Sequence, residues 1–134
     1  MKVVILGCSR VGALVATQLV SRGDEVSVID QDPSSFKRLD KEFSGKTILG
    51  IGIDVEALKK AGIEEADAFI AVTNDDNTNL MAAQLVRQRF ETPKILLRVY
   101  GPKRAQAFKE LGLNIICPTI DSAKKIEEFL SEKI

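Results

Sequence analysis

The stretch KVVILGCSRVG, Lys2–Gly12, decides the fold. Its first five residues form an apolar, β-branched run with no polar alternation, which suits a strand buried on both faces. The run stops at Gly7. Beyond it, Val11, Leu14, Val15, Leu19 and Val20 recur at helical spacing, and Gly23 supplies a stop. Strand, glycine-rich turn and helix thus follow each other within some twenty residues. The apolar run is far shorter than the ~20 residues that span a bilayer. It also lacks the pattern of a secretory leader, so burial as a strand is the better reading and a cytoplasmic location is expected.

Working outward, the same rhythm recurs along the chain. Glu25–Ile29 (EVSVI) is a second strand. Pro33 suits the first turn of a helix, where its missing N–H is no loss. That helix is expected to reach about Phe43, before Gly45. Lys46–Leu49 is the third strand, and Asp54 caps a helix over Val55–Ala61 that Gly62 ends. Ala68–Val72 is the fourth strand, Asp76–Phe90 a long helix and Lys94–Val99 the fifth strand. Pro102–Leu111 is a helix before Gly112, Asn114–Cys117 a sixth strand and Asp121–Ile134 a last helix. Interleaved helices and apolar strands predict an α/β fold, a Rossmann-like doubly wound parallel sheet of six strands with helices on both faces. Right-handed crossovers give the order 3-2-1-4-5-6. No linker or low-complexity tract interrupts it, so residues 1–134 are expected to form a single domain.

Composition removes several function classes. Lys+Arg and Asp+Glu both total 19, so no global basic field attracts nucleic acid. The chain has no histidine, and Cys8 and Cys117 match no metal-ligand spacing. A zinc site and a His-dependent catalytic triad are thereby excluded.

The turn Gly7-Cys8-Ser9-Arg10-Val11-Gly12 is a variant of G-x-G-x-x-G with Ser9 at the middle glycine. Gly7 supplies the tight turn, and Gly12 lets helix and strand approach. Ser9 is small, and its hydroxyl is able to bond a phosphate. The helix start offers unpaired N–H groups and a positive dipole end. Arg10 carries a planar fork suited to phosphate. Asp30 ends the second strand, where an acid accepts hydrogen bonds from ribose hydroxyls and repels a 2′-phosphate. Asp32, two residues on, competes for that role. A turn that merely needs small residues, with no ligand, is the bland alternative.

These residues, together with VIDQD (Val28–Asp32), DVEALKKAGIEEADA (Asp54–Ala68), AVTNDDNTNL (Ala71–Leu80), LRV (Leu97–Val99) and ICPT (Ile116–Thr119), resemble the KTN domain, also called RCK or TrkA-N. That family is the nucleotide-sensing module of potassium channels and transporters. The resemblance implies that Gly7, Ser9, Arg10 and Gly12 cradle phosphates and Asp30 holds the ribose. It puts Thr73 and Asn74 on the far side of the pocket, Asp75 at the cap of the next helix, and Asn79 as a brace within it. Arg98 is implied near the nucleotide or at a subunit contact. Val11, Gln31, Asp32, Ile51, Gly52 and Ile53 complete the candidate pocket. Where the family has Gly-Asp after strand three, this chain has Gly50-Ile51, so Ile51 or Ile53 is expected against the adenine face.

The implied ligand is an adenine nucleotide: NAD/NADH, ATP, ADP or AMP. The implied partners are a membrane-embedded potassium channel or transporter subunit, which holds the domain at the inner face of the membrane, and further copies in a dimer, a ring or a mixed ring with a related subunit. The C-terminal ligand-sensing domain common in the family is not expected within these residues. An alternative is the cofactor-binding half of an NAD-dependent oxidoreductase, but no Y-x-x-x-K follows Tyr100, the one tyrosine. A scaffold that has lost nucleotide binding is a third reading, kept open by Ser9 and Ile51. Three bland readings complete the survey. Asp75-Asp76 are caps rather than a cation site, Cys8 is a small loop residue despite a helix start that lowers thiol pKa, and the stripe Ala123, Ile126, Leu130 and Ile134 with Phe129 packs on its own sheet by default, or joins two copies.

Overall fold

The computed structural model describes residues 1–51 and 53–132. Six parallel strands lie in the order β3-β2-β1-β4-β5-β6. They are β1 (Lys2–Leu6), β2 (Glu25–Asp30), β3 (Lys46–Leu49), β4 (Ala68–Ala71), β5 (Lys94–Arg98) and β6 (Asn114–Ile116). The helices are α1 (Arg10–Ser21), α2 (Val55–Lys60), α3 (Asp76–Arg89), α4 (Pro102–Glu110) and α5 (Pro118–Ser131). Alternation along β1 divides the core in two. Val3 and Ile5 join Val26, Val28, Ala68 and Val72 against Ala13 and Ala16 of α1. Val4 and Leu6 join Ile29, Phe69, Ala71 and Leu97 against Leu58 of α2, Ala82, Ala83 and Val86 of α3 and Ala105 of α4. The predicted doubly wound sheet, with its strand order, is what forms.

Local departures have physical causes. α1 buries its small residues, Gly12, Ala13 and Ala16, while Val11 and Leu14 stay exposed. Close approach explains this: a Cβ at Gly12 would lie 2.0 Å from the carbonyl oxygen of Gly7. The larger apolar residues therefore flank the contact instead of forming it.

The helix expected from Pro33 to Phe43 is only a six-residue 3-10 helix, Pro33–Arg38. Leu39 takes an extended backbone, and Asp40 then accepts the Glu42 N–H at 2.9 Å in a separate turn. The bend lets Phe36, Leu39 and Phe43 all reach the α1-side core. Their helix-like spacing is thus met by two turns.

α5 begins at Pro118 in its first turn, three residues earlier than expected. It buries none of its residues, and Ile126, Phe129 and Leu130 are 61%, 71% and 74% exposed. Packing of this stripe on its own sheet is therefore overturned for the described residues; Ile134, the last of the stripe, lies outside them. No helix among the described residues is long and apolar enough to cross a membrane.

Candidate functional site

The sheet reverses its winding between β1 and β4, and ligands of open α/β sheets bind at the carboxyl ends of the strands at such a point. A cleft of about 370 Å³ opens there. Its lining is Gly7, Cys8 and Ser9 after β1, Asp30, Gln31, Asp32, Ser35 and Arg38 around the end of β2, and Thr73, Asn74 and Asp75 after β4. A larger hollow of about 1050 Å³ lies between α1 and the amino-terminal side of β4, β5 and β6, lined by Val3, Val15, Ile70 and Leu96 among others. Arg22, Lys94, Lys109 and Asn114 also line it, but it lies at the opposite end of the strands from the point where the winding reverses, so the cleft is the better candidate.

The turn after β1 is built by exclusion. Gly7 has φ +104°, a conformation side chains rarely adopt, and a Cβ there would sit 2.8 Å from the Thr73 nitrogen. The turn therefore lies directly on the loop after β4. Ser9 caps α1: its hydroxyl donates to the Val72 carbonyl at 2.8 Å and accepts the Gly12 N–H at 3.2 Å. The hydroxyl expected on a phosphate is thus already engaged. The helix start still presents the N–H groups of Arg10 and Val11, which have no acceptor within the helix. Arg10 itself turns away from the cleft, into an adjoining hollow with Leu14, Thr17, Arg38 and Asp40.

The wall beside β2 separates the two aspartates. Asp30 Oδ2 accepts the Cys8 N–H at 2.8 Å, and its Oδ1 accepts the Asp32 N–H at 2.8 Å. Asp30 therefore holds the turn in place, with lone pairs left for ribose hydroxyls. Asp32 instead caps the 3-10 helix, accepting the Ser34 N–H at 3.0 Å and the Ser34 hydroxyl at 2.8 Å. Those Ser34 bonds, the hydroxyl first, hold its carboxyl below the usual range. Burial pushes the Cys8 thiol up, and the Asp30 carboxylate adds to the shift. The reactive-thiol alternative is thus opposed by the structure.

The opposite wall is a buried polar network. Asn79 is fully buried, and its Oδ1 accepts the Thr73 N–H at 2.9 Å and the Thr73 hydroxyl at 2.6 Å. Its Nδ2 donates to the carbonyls of Thr73 at 3.1 Å and Arg98 at 2.9 Å. Asp75 caps α3 through the Asn77 N–H at 3.0 Å. Arg98, 3% exposed, places Nη2 at 2.8 Å from the Val72 carbonyl, 3.0 Å from that of Thr73 and 3.2 Å from Asn74 Oδ1. Its guanidinium also lies 4.8 Å from the centre of the Tyr100 ring. Arg98 therefore braces the wall from below and does not line the cleft.

The structure brings together Gly7, Ser9, Asp30, Gln31, Asp32, Thr73, Asn74 and Asp75 of the candidate residues, with Gly12, Asn79 and Arg98 beneath them. It does not bring in Arg10 or Val11, nor the exposed Ile51 and Ile53. Gly52 lies outside the described residues. Sequence reasoning missed Ser35 and Arg38. Arg38 Nη1 donates to the Cys8 carbonyl at 3.0 Å, thirty residues away in sequence. The available signal was a basic residue in the last turn of the element following Asp30.

The family model described as the TrkA-N domain matches residues 3–118. The chain belongs to the TrkA-N family. A Trk system potassium uptake protein TrkA from Streptomyces coelicolor is 44% identical over 124 residues, covering 92% of this chain and 54% of that protein. This TrkA-N chain thus spans about half the length of that relative. Among solved structures, a Shewanella denitrificans Kef C-terminal domain in AMP-bound form aligns with TM-score 0.82 at 22% identity, covering 99% of this chain and 84% of that one. A GsuK channel bound to NAD aligns with TM-score 0.72 at 21% identity, over 86% of this chain and 21% of that one. Likeness at such identities shows a shared fold.

Proposed function

We propose that residues 1–134 act as a single nucleotide-binding unit, a regulatory domain that takes an adenine nucleotide (NAD/NADH, ATP, ADP or AMP) in the cleft between Cys8–Asp30 and Thr73–Asp75. The cleft itself carries this reading. Gly7 and Gly12 have no room for a side chain, Asp30 faces the position of a ribose, and the start of α1 offers N–H groups to phosphate. The AMP and NAD named for the two solved relatives of the same fold support the ligand class. The polar wall after β4 is held by its own hydrogen bonds through Asn79 and Arg98, so little ordering opposes binding on that side.

The regulated partner in this reading is a membrane-embedded potassium channel or transporter subunit, which places the domain at the inner face of the membrane. The potassium uptake named for the Streptomyces relative supports it. Nucleotide shifts such a partner only by binding two assembly states with different affinity. That requires contacts with further copies in a dimer, a ring or a mixed ring, for which the exposed stripe of α5 is a candidate surface. Among the described residues no histidine, lysine or tyrosine lines the cleft, which favours a binding role over hydride-transfer chemistry.

Titration calorimetry with AMP, ADP, ATP and NAD tests the first step. At least one is expected to bind with one site per chain. Absence of heat with all four at millimolar ligand would remove the nucleotide reading.

A further inference from the structure

The lining of the cleft is lopsided in charge. Asp30, Asp32 and Asp75 line it, and among the described residues its one cation is Arg38. Two of these carboxylates are fixed as caps: Asp32 accepts the Ser34 N–H at 3.0 Å, and Asp75 the Asn77 N–H at 3.0 Å. The Ser34 bonds also hold Asp32 below the usual carboxylate range, so it stays ionised near neutral pH. Arg38 is itself engaged, donating to the Cys8 carbonyl at 3.0 Å. Behind the wall after β4, opposite charges meet at one residue. Arg98 lies over the Tyr100 ring, and the Asp76 carboxylate accepts the Tyr100 N–H at 2.9 Å.

The donors left for phosphate are few. The Cys8 N–H goes to Asp30, the Gly12 N–H to Ser9 and the Thr73 N–H to Asn79. The Ser9 hydroxyl donates to the Val72 carbonyl. Phosphate is served by the N–H groups of Arg10 and Val11 in the first turn of α1. The Arg10 side chain lies in the adjoining hollow with Leu14 and Thr17. One phosphate next to the ribose thus finds donors. Each further one enters a lining with an excess of carboxylates.

We infer that the cleft selects adenine nucleotides for low negative charge, taking AMP or NAD in preference to ATP. The inference rests on the nucleotide reading and narrows its ligand class. AMP brings a single phosphate to the helix start. NAD brings a pyrophosphate with no terminal group, and its oxidised nicotinamide ring is cationic. ATP lengthens the phosphate chain of AMP and ends in a group that is close to doubly ionised at neutral pH. Like charges with no donor between them repel, and within a cleft this repulsion is less screened than in bulk water. The effect does not depend on which carboxylate a given phosphate approaches, because acid lines both walls.

Calorimetry on the wild-type chain, in buffer free of divalent cations, compares AMP, NAD and ATP. ATP is expected to bind at least about ten-fold more weakly than AMP, the scale of a like-charge contact near a protein surface. NAD is larger than ATP but less charged, so its tighter binding separates charge from size. Raising salt from about 0.05 M to about 0.5 M should narrow the gap between AMP and ATP, since screening weakens repulsion. The double variant Asp32→Asn, Asp75→Asn should narrow it about three-fold or more. Asparagine keeps both caps, and thermal unfolding confirms that the variant is folded. ATP binding as tightly as AMP, or more tightly than NAD, overturns the inference and leaves the nucleotide reading standing. A gap that neither salt nor the double variant changes overturns it as well, because fit and not charge would then exclude ATP. If no adenine nucleotide binds the wild type, the nucleotide reading falls and takes the inference with it.

Discussion

The two walls of the cleft are held by different means. After β4, the side-chain oxygen and nitrogen of buried Asn79 both have partners, and Arg98 fastens three successive residues, Val72 to Asn74, from beneath. Beside β2, Gln31, Asp32 and Arg38 are exposed, and the turn is held by two bonds to the Cys8 backbone. Arg98 Nε has no hydrogen-bond partner among the described residues, but the bonds made by Asn79 and by Arg98 Nη2 hold the wall after β4 in one geometry. An exposed wall adapts more readily. The first wall is therefore scaffold, and in the proposed reading the second is the one that would select the ligand.

The largest effect should come from breaking the buried wall. Asn79→Ala strips the half-buried Thr73 N–H and the buried Arg98 carbonyl of this partner. Loss of that network is expected to destabilise the fold by about 3 kcal/mol, which lowers the melting temperature by roughly 10 °C. Calorimetric unfolding checks it. A change under about 1 kcal/mol would mean that the wall relaxes and is not scaffold.

Ser9→Ala comes next, since it breaks the link between the walls. The Ser9 hydroxyl caps α1 and reaches the Val72 carbonyl of the opposite side. Removing it should destabilise by about 1–2 kcal/mol, the usual worth of an N-cap. Nucleotide affinity should fall little, because phosphate in this reading meets backbone N–H groups. A large affinity loss at unchanged stability would return the hydroxyl to the phosphate.

How much of this was legible in the sequence follows the same division. The strand order was readable because each buried strand is a continuous apolar run, and glycines or prolines punctuate the helices. Asp75 as a cap and Asn79 as a brace also came out where the family resemblance put them. The exposed wall was not legible. Arg38 acts through one bond to a residue thirty positions away, and no periodicity encodes that. Phe36, Leu39 and Phe43 carry helical spacing, yet a bend at Leu39 satisfies the same core. For Arg10 the motif supplied the residue type but not the direction of its side chain.

Alkaline pH separates burial from charge at the base of the exposed wall. The Cys8 thiol ionises above its ordinary value in the fold, chiefly through burial and then through Asp30. A raised value means that the folded state keeps its proton while the unfolded chain gives it up. Stability from this group is thus full below about pH 9 and is lost as pH rises through the folded value. Melting temperatures measured from neutral to strongly alkaline pH should fall more steeply for wild type than for Cys8→Ala. Parallel curves would show that the thiol is hydrated and the wall looser than described.

The smallest effect is expected at Arg10, and its smallness is the point. The glycine-rich turn makes this arginine the obvious phosphate ligand by position alone. In the fold it is exposed and shares a hollow with Leu14, Thr17 and Asp40, outside the cleft. An exposed cation at a helix start opposes the helix dipole, so its removal should raise stability slightly, by about 0.3–0.5 kcal/mol. Arg10→Ala should leave AMP and ATP affinity within about two-fold, since an exposed charge beyond hydrogen-bond reach is screened by salt. If affinity instead falls about ten-fold, and more for ATP than for AMP, the side chain swings into the cleft when phosphate arrives. The exposed wall would then have two cations, and its adaptability would extend to the start of α1.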